Sequence, residues 1–230
     1  MKLILFDIDG TLLLSDGAGR RAIHRALHDV FGATGPVDYR FDGKTDPQIV
    51  RELMTLAGHA DEHIDAEMQT LLTRYLDCLH EELRAPGNRA YTLPGVPALL
   101  DVLEKNSGVI LGLLTGNLEQ GAKAKLGSVG IDPRRFRVGA YGSDHEQRNE
   151  LPAIARERAK RQLDIDVRGD AIVVIGDTPS DLTCGRALGA KAIGVATGRY
   201  SVQELARHHP LAVFADLSDT DEVARTILGA

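Results

Sequence analysis

The stretch FDIDGT, residues 6–11, sets two aspartates, Asp7 and Asp9, around a single Ile8, directly behind the apolar run Leu3–Phe6. Burying carboxylates is costly unless they are paired or bind metal, so two of them at the mouth of a strand imply a use. Two other strand-like runs end in comparable groups. Residues 109–114, VILGLL, run into Thr115, Gly116 and Asn117; residues 171–176, AIVVIG, run into Asp177 and, one turn on, Asp181. Four carboxylates, a hydroxyl and glycine-freed amides make an oxygen-rich donor set, the kind Mg²⁺ takes together with water and phosphate oxygens. On an extended strand Asp7 and Asp9 would face opposite sides. Gly10 lets the chain leave the strand at once, so Asp9 can swing back toward the site. One carboxylate could then attack phosphorus while the other trades protons with the leaving group and with water. A metal and fixed amides would hold the charge on the transferring phosphoryl group.

Such groups need a scaffold that brings strand ends together. Continuous apolar runs at 3–6, 109–114, 171–176 and 192–197, with a weaker one at 136–142, suit strands covered on both faces, as in a parallel sheet. Helical segments are expected near 95–107, 118–129, 149–163 and 180–188. This alternation argues for an α/β fold, a Rossmann-like parallel sheet, whose ligands bind beyond the carboxyl ends of the strands. Residues 17–85 break the pattern and read as helix after helix. In 60–85, Ile64, Met68, Leu71, Tyr75, Leu79 and Leu83 recur at spacings of three and four, an amphipathic stripe for packing against neighbouring helices. An all-helical insert, residues 15–93, thus interrupts a core formed by 1–14 and 94–230. RAPGNRAYTLPG, 84–95, is the return linker, with two prolines and two glycines.

DIDGT, LLTGN and IGDTPSD, in that order and on those strands, resemble the haloacid dehalogenase superfamily of hydrolases over nearly the whole chain, with the helical insert similar to its first type of cap domain. VATGRYS, 195–201, resembles the phosphoglycolate-phosphatase-like branch. The resemblance implies a Mg²⁺-dependent phosphatase that hydrolyses a small-molecule phosphate monoester through an aspartyl-phosphate. It implies Asp7 as nucleophile and Asp9 as general acid/base. Thr115 would bind phosphate by its hydroxyl, with help from Gly116 and the amide of Asn117. Mg²⁺ would sit on Asp7, the Asp9 carbonyl and Asp177, with Asp181 supporting directly or through water. Arg148 stands where the family usually has a lysine. It cannot be deprotonated and has a larger planar head, yet still offsets charge on the nucleophile and phosphoryl oxygens. Lys160 lies about three turns further along a helix, too far from the site. Lys44, in the turn-like DGKTD at 42–46, is the candidate cap residue for the leaving group, with Arg20 and Arg21 as alternatives. A phosphomutase remains open, because it uses the same core residues; Asp9 argues against a true dehalogenase, which does without the second aspartate.

Other readings are weaker. GAGRRA, 17–22, matches a dinucleotide fingerprint and would make an NAD-dependent oxidoreductase, but the fingerprint must follow its strand directly inside a βαβ unit, and here the next parallel strand is about a hundred residues away. His24 with His28, and His59 with His63, have the spacing of helix metal ligands but lack the accompanying glutamate and lie away from the strand ends. A silent binding protein on the same fold would have lost the nucleophile or the metal acids. The formal charge of −6, spread without a basic arm, argues against nucleic-acid or anionic-membrane partners. Cys78 and Cys184 are far apart, fitting a reducing compartment. Without a signal-peptide pattern or a membrane-length apolar run, the expected location is cytoplasmic. Oligomeric state and the particular ester are not legible.

Overall fold

The computed structural model describes residues 1–229. Six parallel strands form one sheet in the order β5-β4-β1-β6-β7-β8: β1 Lys2–Phe6, β4 Val109–Leu114, β5 Val138–Ala140, β6 Ile172–Gly176, β7 Lys191–Val195 and β8 Ala212–Phe214. β1 is central and pairs on both sides, Ile4 with Leu111 and with Val173. That explains why its run is uniformly apolar: Leu3, Ile4, Leu5 and Phe6 are all fully buried. Side chains alternate across the strand. Ile4 and Phe6 join a cluster with α4 (Val96–Glu104), α5 (Glu119–Ser128) and α9 (Thr220–Gly229), while Leu3 and Leu5 join one on the other face with α6 (Leu151–Leu163) and α7 (Pro179–Cys184). Truncating one of these leucines to alanine costs roughly 2–5 kcal/mol.

The chain winds outward from β1 through β4 to β5, then returns to β6 on the other side of β1 and winds outward again to β8. The carboxyl ends of β1, β4 and β6 therefore meet at the point where the winding reverses, the place where open α/β sheets hold ligands. The expected strand at 136–142 shortens to β5, and the expected helix at 180–188 is α7 followed by a separate 3-10 turn, Arg186–Leu188. β8 and α9 have no counterpart in the sequence expectations, while α8 (Val202–Ala206) stands just ahead of His208–His209, which read as a helix end before Pro210. β8 is an edge strand of three half-buried residues and carries little apolar signal.

Between β1 and β4 lie α1 (Ala18–Phe31), α2 (Asp46–Leu56) and α3 (Asp61–Arg84), which share their own apolar cluster. The stripe on α3 behaves as its spacing demands: Ile64, Leu71, Tyr75 and Leu79 are fully buried, with Met68 and Leu83 against them. A two-residue antiparallel ribbon joins this helical unit to the sheet, β2 (Leu13–Leu14) against β3 (Tyr91–Thr92), the latter inside what reads in sequence as plain linker. Beside it, Asp16 and Gly17 have φ of 53° and 74°, and Gly95 has φ of 80°. Among the described residues no helix is long and apolar enough to cross a membrane.

Candidate active site

The DIDGT stretch leaves the sheet immediately after Phe6. Gly10 takes φ 81°, and any side chain there would collide with the Asp177 carboxylate. A Cβ at Gly198, beyond β7, would come closer still to Asp177 Oδ2. Two glycines thus make the space in which that carboxylate sits, and Thr11 donates to it at 3.3 Å.

Asp7, Asp177 and Asp181 are buried with carboxylate oxygens all within 4.8 Å of one another, the one such metal-capable group among the described residues. Against these three stands a single cation, Arg148, also buried, 3.1 Å from Asp7 and paired more closely with Asp181. The imbalance shows in the carboxyls. Burial above all, opposed by Arg148 and aided by Asp181 and Asp9, raises Asp7 to about 6. Burial, then repulsion from Asp181 and Asp7, pushes Asp177 well above the usual carboxylate range. A surplus of confined negative charge with hard oxygen donors fits a small divalent cation. Asp181 is less free than its neighbours: one oxygen faces Arg148, and the other accepts from the Thr178 amide and hydroxyl in the capping box that starts α7.

Arg148 lies in a 3-10 turn just ahead of α6, where sequence puts the cation, but not as the partly exposed residue expected for a strand end; its charge is enclosed by the carboxylates it pairs with. Lys160 is exposed on α6.

Asp9 turns away from this group. Its Oδ2 accepts from the Asn117 side-chain amide at 2.8 Å, and the same amide donates to Thr115 Oγ1 at 2.8 Å. The strand-end groups of β1 and β4 are thereby one connected polar chain. Gly116 has a different part. Its carbonyl accepts from the Asp46 amide at 2.8 Å, and a Cβ there would strike the Lys44 carbonyl, so glycine lets the turn before α2 close onto the Thr115–Asn117 loop. Lys44 lines the same cavity, but its amine is paired with Glu52 and Tyr39 on its own unit. Arg20 also lines it, stacked 4.0 Å over Phe41 and donating to backbone carbonyls, whereas Arg21 pairs with Glu82 at the surface. The cavity is about 530 Å³ and lies between the sheet and the helical unit. The histidine pairs take no part: His24 packs on Phe41, and His59 and His63 pack on Phe31.

Residues 4–186 match the model of the haloacid dehalogenase-like hydrolases. The chain belongs to that family. It is 30% identical over 224 residues to a phosphoglycolate phosphatase of Rhodospirillum rubrum, covering 94% of this chain and 88% of that protein. It is 29% identical to an N-acetylmuramic acid 6-phosphate phosphatase of Pseudomonas aeruginosa, covering 94% and 91%. Among solved structures, a hydrolase from Pseudomonas syringae superposes with a TM-score of 0.73 at 23% identity, covering 97% of this chain and all of that one.

Two residues of the site escape sequence reasoning. Lys125, on α5, is buried with its ammonium 2.7 Å from Asp9 Oδ2 and 2.6 Å from Asn117 Oδ1. Asp46, in the first turn of α2, is buried and accepts from the Leu118 amide at 2.9 Å. Thr45-Asp46-Pro47 is legible as a helix start, but nothing in the sequence sends that helix start against another unit. Lys125 has no signal at all: in EQGAKAKLGS it is indistinguishable from Lys123, which is exposed and pairs with Glu119.

Proposed function

We propose that this hydrolase is a Mg²⁺-dependent phosphatase of small phosphate monoesters that works through an aspartyl-phosphate, with residues 15–93 as a cap over a core of 1–14 and 94–230. The observation that carries the reading is the trio of buried carboxylates against one guanidinium at the ends of β1 and β6. Asp7, the Asp9 carbonyl and Asp177 would hold the ion, with Asp181 fixing Arg148 beside them. A bound Mg²⁺ supplies charge to offset the phosphoryl oxygens and to keep Asp7 ionised.

An oxygen of Asp7 attacks phosphorus, and the bond to the leaving oxygen breaks. Asp9 passes its proton to that oxygen, so the alcohol departs neutral. Asp9, now a carboxylate, takes a proton from water as the water attacks the same phosphorus. The bond to Asp7 breaks, and inorganic phosphate leaves. Arg148 lowers the repulsion between the Asp7 carboxylate and an incoming dianion. Thr115 accepts from Asn117 through Oγ1, which leaves its own proton to donate to a phosphoryl oxygen. Backbone contacts between 43–46 and the strand-end loops exclude bulk water while the phosphoryl group is in transit.

The curated relatives are named for two different phosphate esters, phosphoglycolate and N-acetylmuramic acid 6-phosphate. A phosphoglycolate-like small acid is one candidate substrate here, since the relative at 30% identity is named for that ester. The test is a phosphatase screen over a metabolite panel with and without Mg²⁺. Metal-dependent phosphate release from at least one small monoester supports the reading. Equal release with excess chelator, or none from any ester, overturns it.

A further inference from the structure

Lys125, on α5 of the core, is a buried lysine that lines the cavity and stands outside the Asp7, Asp177 and Asp181 trio. A buried ammonium needs partners that repay its lost hydration. Its partners are specific. The ammonium donates to Asp9 Oδ2 at 2.7 Å and to Asn117 Oδ1 at 2.6 Å. The space it occupies is kept open by the helical unit: a Cβ at Gly19 on α1 would lie 3.1 Å from its Nζ. Asp46, buried on α2, faces the same charge, which partly offsets the effect of burial on that carboxyl.

The donor and acceptor chemistry gives these contacts direction. Lysine only donates. It therefore fixes Asn117 with Oδ1 toward Lys125 and Nδ2 toward Asp9 and Thr115; with the amide turned over, an oxygen would face the Asp9 carboxylate. Asn117 Nδ2 then donates both to Asp9 Oδ2 and to Thr115 Oγ1, each at 2.8 Å. Asp9 Oδ2 is thus held by two donors, and the other oxygen is left toward the cavity. Asp9 is 40% exposed at its side chain, whereas Lys125 is 5% exposed.

We propose that Lys125 is a positioning residue for the reaction: it holds Asp9 with one oxygen anchored and the other aimed at the leaving group, and through Asn117 it turns the Thr115 hydroxyl outward. Both of its hydrogen-bond partners belong to the core, and α1 and α2 cover it through Gly19 and Asp46. The inference rests on Asp9 as the general acid proposed above.

The test compares two esters that differ in how much they need a proton on the leaving oxygen. Full-length Lys125→Met is assayed by kcat/KM on an alkyl phosphate and on p-nitrophenyl phosphate, with Asp9→Asn and the double variant alongside and thermal melting as a control for folding. A misplaced acid hurts the alkyl ester more, because nitrophenolate leaves without help. General acid–base groups contribute about 10²–10⁴-fold. The alkyl-to-aryl ratio should therefore fall about tenfold or more in Lys125→Met, and the double variant should lose little beyond Asp9→Asn, as for residues acting as one unit. If Lys125→Met does not fold, Lys125→Gln, which can donate to Asp9 but carries no charge, is read by the same ratio. Equal losses on both esters, or losses that multiply in the double variant, overturn the role of Lys125. Failure of the reading beneath it looks different: Asp9→Asn would then lose no more on the alkyl ester than on the aryl ester.

Discussion

The floor and the roof of the cavity are built in opposite ways. The floor is strand ends: Asp7, Asp177, Asp181 and Arg148 are buried, within contact of one another, and set in backbone so tight that Gly10 and Gly198 admit no side chain. The roof is helices and their connecting turns. The two cations it turns to the cavity are engaged within their own unit, Lys44 by Glu52 and Tyr39, Arg20 by carbonyls and Phe41. The floor leaves negative charge uncompensated, and that surplus calls for an ion and an electrophile. The roof cancels most of its own charge, so what it offers a ligand is shape with a few polar atoms. On the proposed function, chemistry is fixed by the sheet, and selection among esters is left to the part that can vary without disturbing it.

The sharpest way to break this contrast is at the floor. Asp7→Asn should abolish turnover on every ester, a loss of at least about 10⁴-fold if it is the covalent nucleophile, while circular dichroism stays native. Near-normal hydrolysis of p-nitrophenyl phosphate by this variant would remove the nucleophile assignment.

Arg148→Ala comes next. Loss of a charge aimed at the transition state costs on the order of a hundredfold or more in kcat. Because Arg148 is buried between two carboxylates rather than exposed, its removal also leaves unpaired buried charge, worth about 3–5 kcal/mol of stability. Arg148→Lys should keep part of the activity, and Lys160→Ala should be nearly silent in both kinetics and melting. A healthy Arg148→Ala with a dead Lys160→Ala would mean the cation had been misplaced.

The floor also predicts how metal and pH interact. Asp7 is raised in the folded, metal-free protein from 3.8 to about 6. Between those values the folded state holds its proton more tightly than the unfolded state, so the group's contribution to stability falls as pH rises. Asp46, raised to about 6 mainly by burial, acts in the same direction. A cation needs ionised carboxylates and offsets their repulsion. The rise in melting temperature on adding Mg²⁺ should therefore be larger near pH 7.5 than near pH 5, as read by differential scanning fluorimetry. An equal or reversed shift would count against the acidic trio as the metal site.

The smallest effects belong to the roof. Lys44→Ala should change KM by severalfold with kcat nearly preserved, since that amine lines the cavity without touching the floor. Arg40→Ala removes a hydrogen bond of 2.9 Å from the roof to Tyr200 on the core, an exposed contact, and should change kcat/KM by no more than a few-fold. A loss from either comparable to that of Arg148→Ala would erase the distinction between the two surfaces.

The same contrast governs what could be read from the sequence. Apolar runs ending in acids, hydroxyls and glycines are local signals, so β1, β4, β6 and the residues they carry were legible, as was the helical character of the segment between β1 and β4. Arg148 was legible by its place ahead of α6, but its burial was not, because burial comes from Asp7 and Asp181 arriving from distant strands. Lys125 was invisible for the same reason, since its partner Asp9 comes from the end of a strand far away in the chain, and Asp46 because it acquires its role only where one unit meets the other. The β2–β3 ribbon was hidden since two residues give no periodicity and β3 falls in a linker, and β8 because half-buried edge residues lack an apolar run.

The account stands on Asp7 carrying the phosphoryl group. Turnover of a good substrate with Mg²⁺, quenched in acid and reduced with borohydride, converts an acyl phosphate to an alcohol that peptide mass spectrometry reads as homoserine. The account predicts homoserine at position 7, dependent on substrate and absent in Asp7→Asn. Homoserine at another aspartate, or none anywhere in enzyme quenched during active turnover, would contradict it.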